Sequence, residues 1–85
     1  MKLEIEIQDY SKNNGIQLIW ESNYKIESHI TSKSVVIKAD RAGLISLARH
    51  FLTLAQDNVP SGHHLHFDDS NSLEDGSCEL IFEKV

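Results

Sequence analysis

The sequence predicts an α+β fold, a small and mostly antiparallel sheet of four to five strands with one helix packed on one face, in the order β-β-(β)-β-α-β-β. Only residues 40–57 show helical periodicity, with apolar side chains recurring at three- and four-residue steps. The stretches on either side alternate between apolar and polar residues, which is typical of half-buried strands. A single helix can cover only one face of a sheet. With 85 residues, of which 40% are hydrophobic, the chain is expected to form one domain, residues 1–85, around one modest core.

The N-terminal part is predicted to begin with a β-hairpin. Residues 2–8 alternate strictly between apolar and polar side chains, and residues 16–21 alternate in the same way. Asn14 and Gly15 lie between them and can adopt the positive φ that a tight hairpin turn requires. Residues 22–34 leave three structures open: an extension of the second strand, a separate strand or a loop.

The central helix has a clear start signal and a clear end signal. Residues 34–39 are rich in β-branched side chains and predict a strand, and Asp40 follows it as a natural N-cap. Gly43 costs up to about 1 kcal/mol relative to alanine inside a helix, which indicates that something packs close to it. Pro60 cannot continue a helix, so the helix is expected to end near Asn58.

Two more strands are predicted after the helix, over residues 63–68 and 78–84. Their alternation assigns the aromatic and aliphatic side chains to the core, and the histidines and acids to the opposite face. The predicted core consists of Leu3, Ile5, Ile7, Leu18, Trp20, Val35, Ile37, Leu65, Phe67, Leu80 and Phe82. The helix residues predicted to cover it are Leu44, Leu47, Ala48, Phe51, Leu54 and Ala55. Arg41, Arg49 and His50 are predicted to lie on the solvated side of the helix.

The charge balance favours a protein partner of basic character. The chain carries 13 acidic residues against 8 Lys and Arg, a formal net charge of −5. Such a surface repels phosphate backbones, which argues against nucleic acid as a partner, and it suits a basic protein. Simple solubility is the plainer explanation of the same charge. The charged N-terminus does not fit a signal peptide, and no apolar run approaches the roughly 18 residues of a membrane span, so we expect a cytoplasmic protein without membrane contact.

A histidine-rich strand is the most conspicuous chemical cluster. His64, His66 and Asp68 share one face, and residues two apart on a strand can converge on one metal ion. The alternative is a solvated histidine pair whose pKa the neighbouring carboxylate raises. We favour this second interpretation and expect no metal and no cofactor. The single Cys78 alternates in phase with the apolar residues of its strand, so it is expected to be a buried apolar side chain rather than a nucleophile. No catalytic residue is predicted.

The C-terminal part of the chain, from about Val35 onward, resembles a known family. The residues that carry the resemblance are Ala39-Asp40, Gly43-Leu44-Ile-Ser-Leu47-Ala48, Leu54-Ala55, Pro60-Ser-Gly62-His-His64-Leu-His66-Phe-Asp68, Gly76-Ser77-Cys-Glu79-Leu80-Ile81 and Glu83. They resemble immunity protein 32, a family of small bacterial proteins from polymorphic toxin systems. The resemblance implies a non-enzymatic α+β protein that binds and neutralises a cognate toxin. Such toxins are often nucleases with basic surfaces, which is consistent with an acidic binding face.

Acidic and histidine side chains on the uncovered sheet face are the candidate partner-binding residues. They are Glu4, Glu6, His64, His66, Asp68, Glu79 and Glu83. Two alternatives remain open. One is a small metal-binding domain that uses His64, His66 and Asp68. The other is a homodimeric accessory domain of unknown role, which would pair through Ile45 and Leu52 or through Ile19 and Ile81.

Overall fold

The computed structural model describes all residues, 1–85, and it confirms the predicted fold class. Four antiparallel strands in two hairpins and one helix follow one another in the order β-β-α-β-β. The elements are β1 (Ile26–Thr31), β2 (Ser34–Ala39), α1 (Arg41–Leu54), β3 (His64–Phe67) and β4 (Leu80–Glu83). The two hairpins form separate two-stranded sheets rather than one continuous sheet. No helix has the length and apolar character that crossing a membrane demands.

The strands predicted over residues 2–8 and 16–21 are wrong, because the first 25 residues contain only an isolated bridge between Ser11 and Gly15. The bridge closes the predicted Asn-Gly turn, but no ladder extends from it. Side chains near the end of α1 bond this segment instead: Gln56 accepts from the backbone N–H of Tyr10 and donates to the carbonyl of Gln8. Alternation along one segment does not supply the neighbouring strand that a ladder requires.

The first hairpin lies within and after the segment whose structure the sequence left open. β1 pairs with β2 from Ile26 opposite Ala39 to Thr31 opposite Ser34, so the separate-strand alternative is the observed one. The outer edge of β1 is bonded to a later loop, since the N–H of Glu74 donates to the carbonyl of Ile26. β2 has no such neighbour and forms a free edge.

The exposure of β2 corrects the predicted core. Val35 and Ile37 were assigned to the interior, but 60% and 40% of their surfaces are exposed. Their partners across the hairpin show where the buried part of the hairpin ends. Ser28, opposite Ile37, is covered by the loop through Ser77, whereas Ile30, opposite Val35, extends beyond that loop and is itself exposed. The hairpin therefore anchors one end in the core and projects the other into solvent.

Asp40 caps α1 as predicted. Its Oδ1 atom accepts from the backbone N–H of Gly43 at 2.7 Å and from that of Lys25 at 3.1 Å. These two hydrogen bonds lower the pKa of the Asp40 carboxyl, because they stabilise its charged form. One side chain thus joins the start of the helix to the start of β1. The helix ends at Leu54 with Ala55 as its C-cap, earlier than the predicted end near Asn58.

The buried face of α1 is rotated from the predicted apolar stripe. Leu47 and Leu54 are buried as expected, but Leu44 and Phe51 are 58% and 40% exposed. The other buried positions are Gly43, Ser46, His50 and Thr53. Two of them contact the irregular chain before β1: Ser46 accepts from the N–H of Glu21, and Nε2 of His50 lies 3.2 Å from the carbonyl oxygen of Ile19. Gly43 lies against the start of the first hairpin. A helix that packs against bare backbone needs such residues more than large apolar ones.

The basic residues of α1 also depart from the prediction of a solvated side. His50 is completely buried, and the Arg49 side chain is 14% exposed and donates to the carbonyl of Ile19 and to Glu21. Arg41 is exposed, as expected.

One core joins the helix to both hairpins. Its buried members are Ile26, Leu47, Leu54, Val59, Leu65, Phe67, Leu73 and Leu80. Leu65, Phe67 and Leu80 confirm the prediction, and Leu18, Trp20 and Phe82 pack against the cluster while partly exposed. The prediction that Leu3 belongs to the core is wrong, because Leu3 is exposed in the irregular N-terminal segment. Ile5 and Ile7 are half-buried and lie outside the cluster.

Candidate partner-binding site

The β3–β4 hairpin separates an apolar side from a charged side, as its alternation predicts. Leu65 pairs with Phe82 and Phe67 with Leu80, and these residues turn toward the core. The intervening pairs, and the residues just beyond the strand ends, turn away from it. We call this surface the outer hairpin face. It consists of His64, His66, Asp68, Glu79, Ile81 and Glu83.

A cross-strand ion pair connects the two strands on this face. The Nε2 atom of His66 lies 2.7 Å from Oε2 of Glu79, and both side chains are about half exposed. The hydrogen bond to Glu79 raises the pKa of His66, and the negative charges of Glu79 and Asp68 raise it further. Two further carboxylates share the face with this ion pair: Asp68, and Glu83, which lies opposite His64. The face is therefore anionic at neutral pH.

The loop after β3 holds Asp68 in a defined orientation. Oδ1 of Asp68 accepts from the N–H of Ser70 at 2.9 Å, from the Ser70 hydroxyl at 2.7 Å and from the N–H of Asn71 at 3.1 Å. These hydrogen bonds lower the pKa of the Asp68 carboxyl, as does the nearby His66. The Asn71 amide in turn donates to the carbonyl of His66. The carboxylate thus stays charged, and Oδ2 remains free of protein hydrogen bonds.

The predicted metal candidates are only partly brought together. The ligand atoms of His66, Asp68 and Glu79 all lie within 4.8 Å of one another. His64 is not in this group, and its Nδ1 lies 3.4 Å from the carbonyl of Gly62. Alternation along β3 alone predicts His64 as a ligand, because it contains no information about the facing strand. The missed member comes from the facing strand, and the opposed alternation of the two strands was the signal that could have found it.

Glu4 and Glu6 do not lie on a strand beside the outer hairpin face. Both are exposed in the irregular N-terminal segment, so the shared sheet on which they were predicted does not exist. The residues suggested for a homodimer differ in exposure. Leu52 and Ile81 are each about half exposed on different elements, Ile19 is exposed before β1, and Ile45 is partly covered.

An open groove of about 630 Å³ lies away from the outer hairpin face, between the start of the β1–β2 hairpin and the loop before β4. It carries both signs of charge, from Lys25 and Lys38 and from Glu27, Asp40, Glu74 and Asp75. Asp40 is already engaged as the helix cap, so the groove does not present one uniform charge to a partner.

The fold and its charged strand face define a small α+β protein suited to contact with another macromolecule through a surface rather than a deep cleft. The family model of immunity protein 32 matches residues 34–85, which are 52 of the 85 residues, and the chain belongs to the immunity protein 32 family. Membership implies toxin neutralisation within a polymorphic toxin system, and immunity proteins are typically not enzymes. Neither the curated proteins nor the solved structures include one that matches significantly.

The matched range bears on the site as well as on the family. It contains β2, α1 and the whole β3–β4 hairpin, and therefore every residue of the outer hairpin face. It leaves out β1 and the irregular N-terminal segment that carries Glu4 and Glu6.

Proposed function

We propose that the protein acts in the bacterial cytoplasm as a non-enzymatic inhibitor that binds its cognate toxin through the outer hairpin face. The observation that carries the proposal is the position of this acidic face within the range that matches the immunity protein family. A toxin that acts on nucleic acid must present a basic surface to its substrate. An acidic protein bound to that surface occludes it without performing any chemistry.

The composition of the face suits protein binding. Ile81 is 56% exposed at its centre, opposite His66, and the carboxylates of Asp68, Glu79 and Glu83 surround it. An apolar centre with a polar rim is the usual anatomy of a protein interface, in which the centre supplies most of the affinity. The charged rim accelerates encounter with a basic partner and disfavours partners of the same sign.

The face is also organised before any partner arrives. Its inner side is anchored by Phe67, which is fully buried against Trp20 and His50. The His66–Glu79 ion pair and the hydrogen bonds around Asp68 fix the end of the hairpin. Preorganised groups lose less conformational entropy on binding, so more of the contact energy appears as affinity.

The test is capture of the toxin from host lysate by tagged protein, at low and at high salt, with identification by mass spectrometry. We expect one basic partner in stoichiometric amount, which high salt weakens. The Glu79→Lys/Glu83→Lys variant should bind that purified partner about tenfold more weakly or worse, because like charges across an interface are costly. It should also fail to protect cells that express the toxin.

The matched control is Asp9→Lys/Asp57→Lys, which changes the net charge equally. Both residues are exposed and lie outside the outer hairpin face. This control should bind like the wild type, and circular dichroism should show that both variants fold. A Glu4→Lys/Glu6→Lys variant tests whether the N-terminal segment adds to the contact. If the purified toxin bound the wild type and the Glu79→Lys/Glu83→Lys variant with equal affinity, the outer hairpin face would be rejected as the binding site.

A further inference from the structure

We propose that His66, Asp68 and Glu79 form a binding site for a divalent transition-metal cation, with Zn²⁺ as the best-matched ion. The proposal does not depend on toxin binding, since the isolated protein carries all three residues. One imidazole nitrogen and two carboxylate oxygens are a ligand set that zinc accepts. Magnesium and calcium prefer oxygen ligands alone and in larger number, so this site disfavours them.

The geometry requires only small side-chain movements. Zinc binds histidine nitrogen and carboxylate oxygen at about 2.0–2.2 Å, so tetrahedral ligand atoms lie roughly 3.3–3.5 Å apart. The three ligand atoms now lie within 4.8 Å of one another, with His66 and Glu79 at 2.7 Å. The His66–Glu79 pair must open slightly and move toward Asp68, whose Oδ1 atom the loop holds in place. His66 and Glu79 are about half exposed and are free to make that adjustment.

Electrostatics gives an independent reason for a cation at this point. Asp68 and Glu79 follow directly on the last pair of the ladder, Phe67 opposite Leu80, so two carboxylates face each other across the strand ends. Like charges in that arrangement destabilise a hairpin. Asp68 cannot relieve the repulsion by turning away, because three donors hold its Oδ1 atom. A protonated His66 neutralises only one of the two carboxylates, whereas a divalent cation neutralises both.

The surroundings resemble the support that protein metal ligands usually receive. The donors from Ser70 and Asn71 bind Oδ1 of Asp68 and leave Oδ2 available, and outer partners of this kind orient the first ligands. Three protein ligands leave one position of a tetrahedral zinc ion open to water. The site is therefore one that binds and exchanges metal rather than a closed structural centre.

The experiment is titration of the tag-free, chelator-stripped protein with Zn²⁺ by isothermal titration calorimetry, at about pH 8, because metal binding requires the deprotonated imidazole and alkaline pH favours that form. We expect one Zn²⁺ per chain and no binding of Mg²⁺ under the same conditions. His66→Ala should weaken zinc binding at least about tenfold, since even loss of a second-shell partner has that effect. Glu79→Gln, which keeps the side-chain shape, should weaken it as well.

His64→Ala is the matched control, because His64 is an exposed histidine on the same face and strand but lies outside the cluster. It should bind zinc like the wild type. Absence of binding to the wild type, unchanged binding by His66→Ala, or an equal loss in His64→Ala would each overturn the proposal. Amide chemical shifts of the wild type under Zn²⁺ give a readout without any variant: changes centred on residues 66–71 and 79 support the site, and changes elsewhere refute it.

Discussion

Gly43→Ala is expected to destabilise the protein by about 2 kcal/mol or more, although alanine is the better helix former by about 1 kcal/mol. Gly43 is buried in the first turn of α1, where the helix crosses the start of the first hairpin. A Cβ atom there would lie 2.5 Å from the carbonyl oxygen of Lys25 and 2.8 Å from Cγ1 of Ile26. The Ile26 side chain could adjust, but the Lys25 carbonyl belongs to the backbone and accepts from the N–H of Asp40. The helix must therefore move away from the hairpin.

Urea denaturation of the wild type and the variant measures this change as a difference in the free energy of unfolding. Arg41→Ala is the control, since Arg41 is exposed in the same turn and its replacement should alter stability by no more than about 0.5 kcal/mol. A Gly43→Ala protein that is more stable than the wild type would mean that helix propensity prevails. It would also show that α1 does not pack as closely on β1 as described.

Gly43 also illustrates what the sequence can predict. A glycine inside an otherwise regular helix signals a close approach, and the structure identifies the approaching backbone. The C-terminal part was predictable for a related reason. Asp40 has a local capping partner, and the β3–β4 hairpin has complementary alternation in both strands, so local chemistry and long-range packing agree.

The N-terminal part was not predictable because its local pattern and its final packing disagree. Residues 2–8 alternate as a strand does, but the strand partner that such a pattern requires is absent and side chains such as Gln56 and Asn58 bond the backbone. The same cause explains the error in the helix. Periodicity favoured Phe51 as a core residue, whereas a helix lying on irregular backbone buries hydrogen-bonding residues. No local sequence pattern predicts which loop will pack against a helix.

The site also depends on both local sequence patterns and contacts between distant residues. Alternation placed His66, Asp68 and Glu79 on the outer sides of their strands, but the register of β3 against β4 decided that Glu79 meets His66. A one-residue slip would have turned the whole hairpin over. The buried apolar pairs on the inner side, Phe67 with Leu80 among them, exclude that slip, so the packing of the core determines the chemistry of the surface.

His50 is expected to make the protein lose stability as the pH falls below about 6.5, the ordinary pKa of histidine. The side chain is fully buried, and its Nε2 lies 3.2 Å from the carbonyl oxygen of Ile19. A carbonyl oxygen only accepts, so Nε2 carries the proton and Nδ1 is the bare nitrogen, which has no hydrogen-bond partner within the protein. Burial lowers the pKa of His50, and the positive charge of Arg49 lowers it further. The folded protein therefore holds His50 neutral.

The direction of the pH effect follows from proton binding. Below pH 6.5 the unfolded chain takes up a proton at His50 and the folded chain does not, so the free energy of unfolding falls as the pH falls. For one histidine the slope cannot exceed about 1.4 kcal/mol per pH unit, which gives up to roughly 2.7 kcal/mol between pH 6.5 and 4.5. The Asp40 and Asp68 carboxyls, whose pKa values are lowered, lose their contributions only at more acidic pH. Urea denaturation at half-unit steps of pH measures the slope.

Two histidine variants separate the buried group from the surface. His50→Gln keeps a donor for the Ile19 carbonyl but does not titrate, so its stability should vary less between pH 6.5 and 4.5 than that of the wild type.

His66→Gln should change the dependence of stability on pH in a different range, above pH 6.5. The pKa of His66 is raised, so its ion pair with Glu79 is fully present below pH 6.5 and is lost as the pH rises through the folded-state pKa. Removing this ion pair should therefore make the free energy of unfolding vary less with pH above pH 6.5. Its dependence on pH below 6.5 should be the same as in the wild type. If His50→Gln and the wild type show the same acidic limb, another group must carry the effect, and the neutral, buried state of His50 would not explain the acid sensitivity.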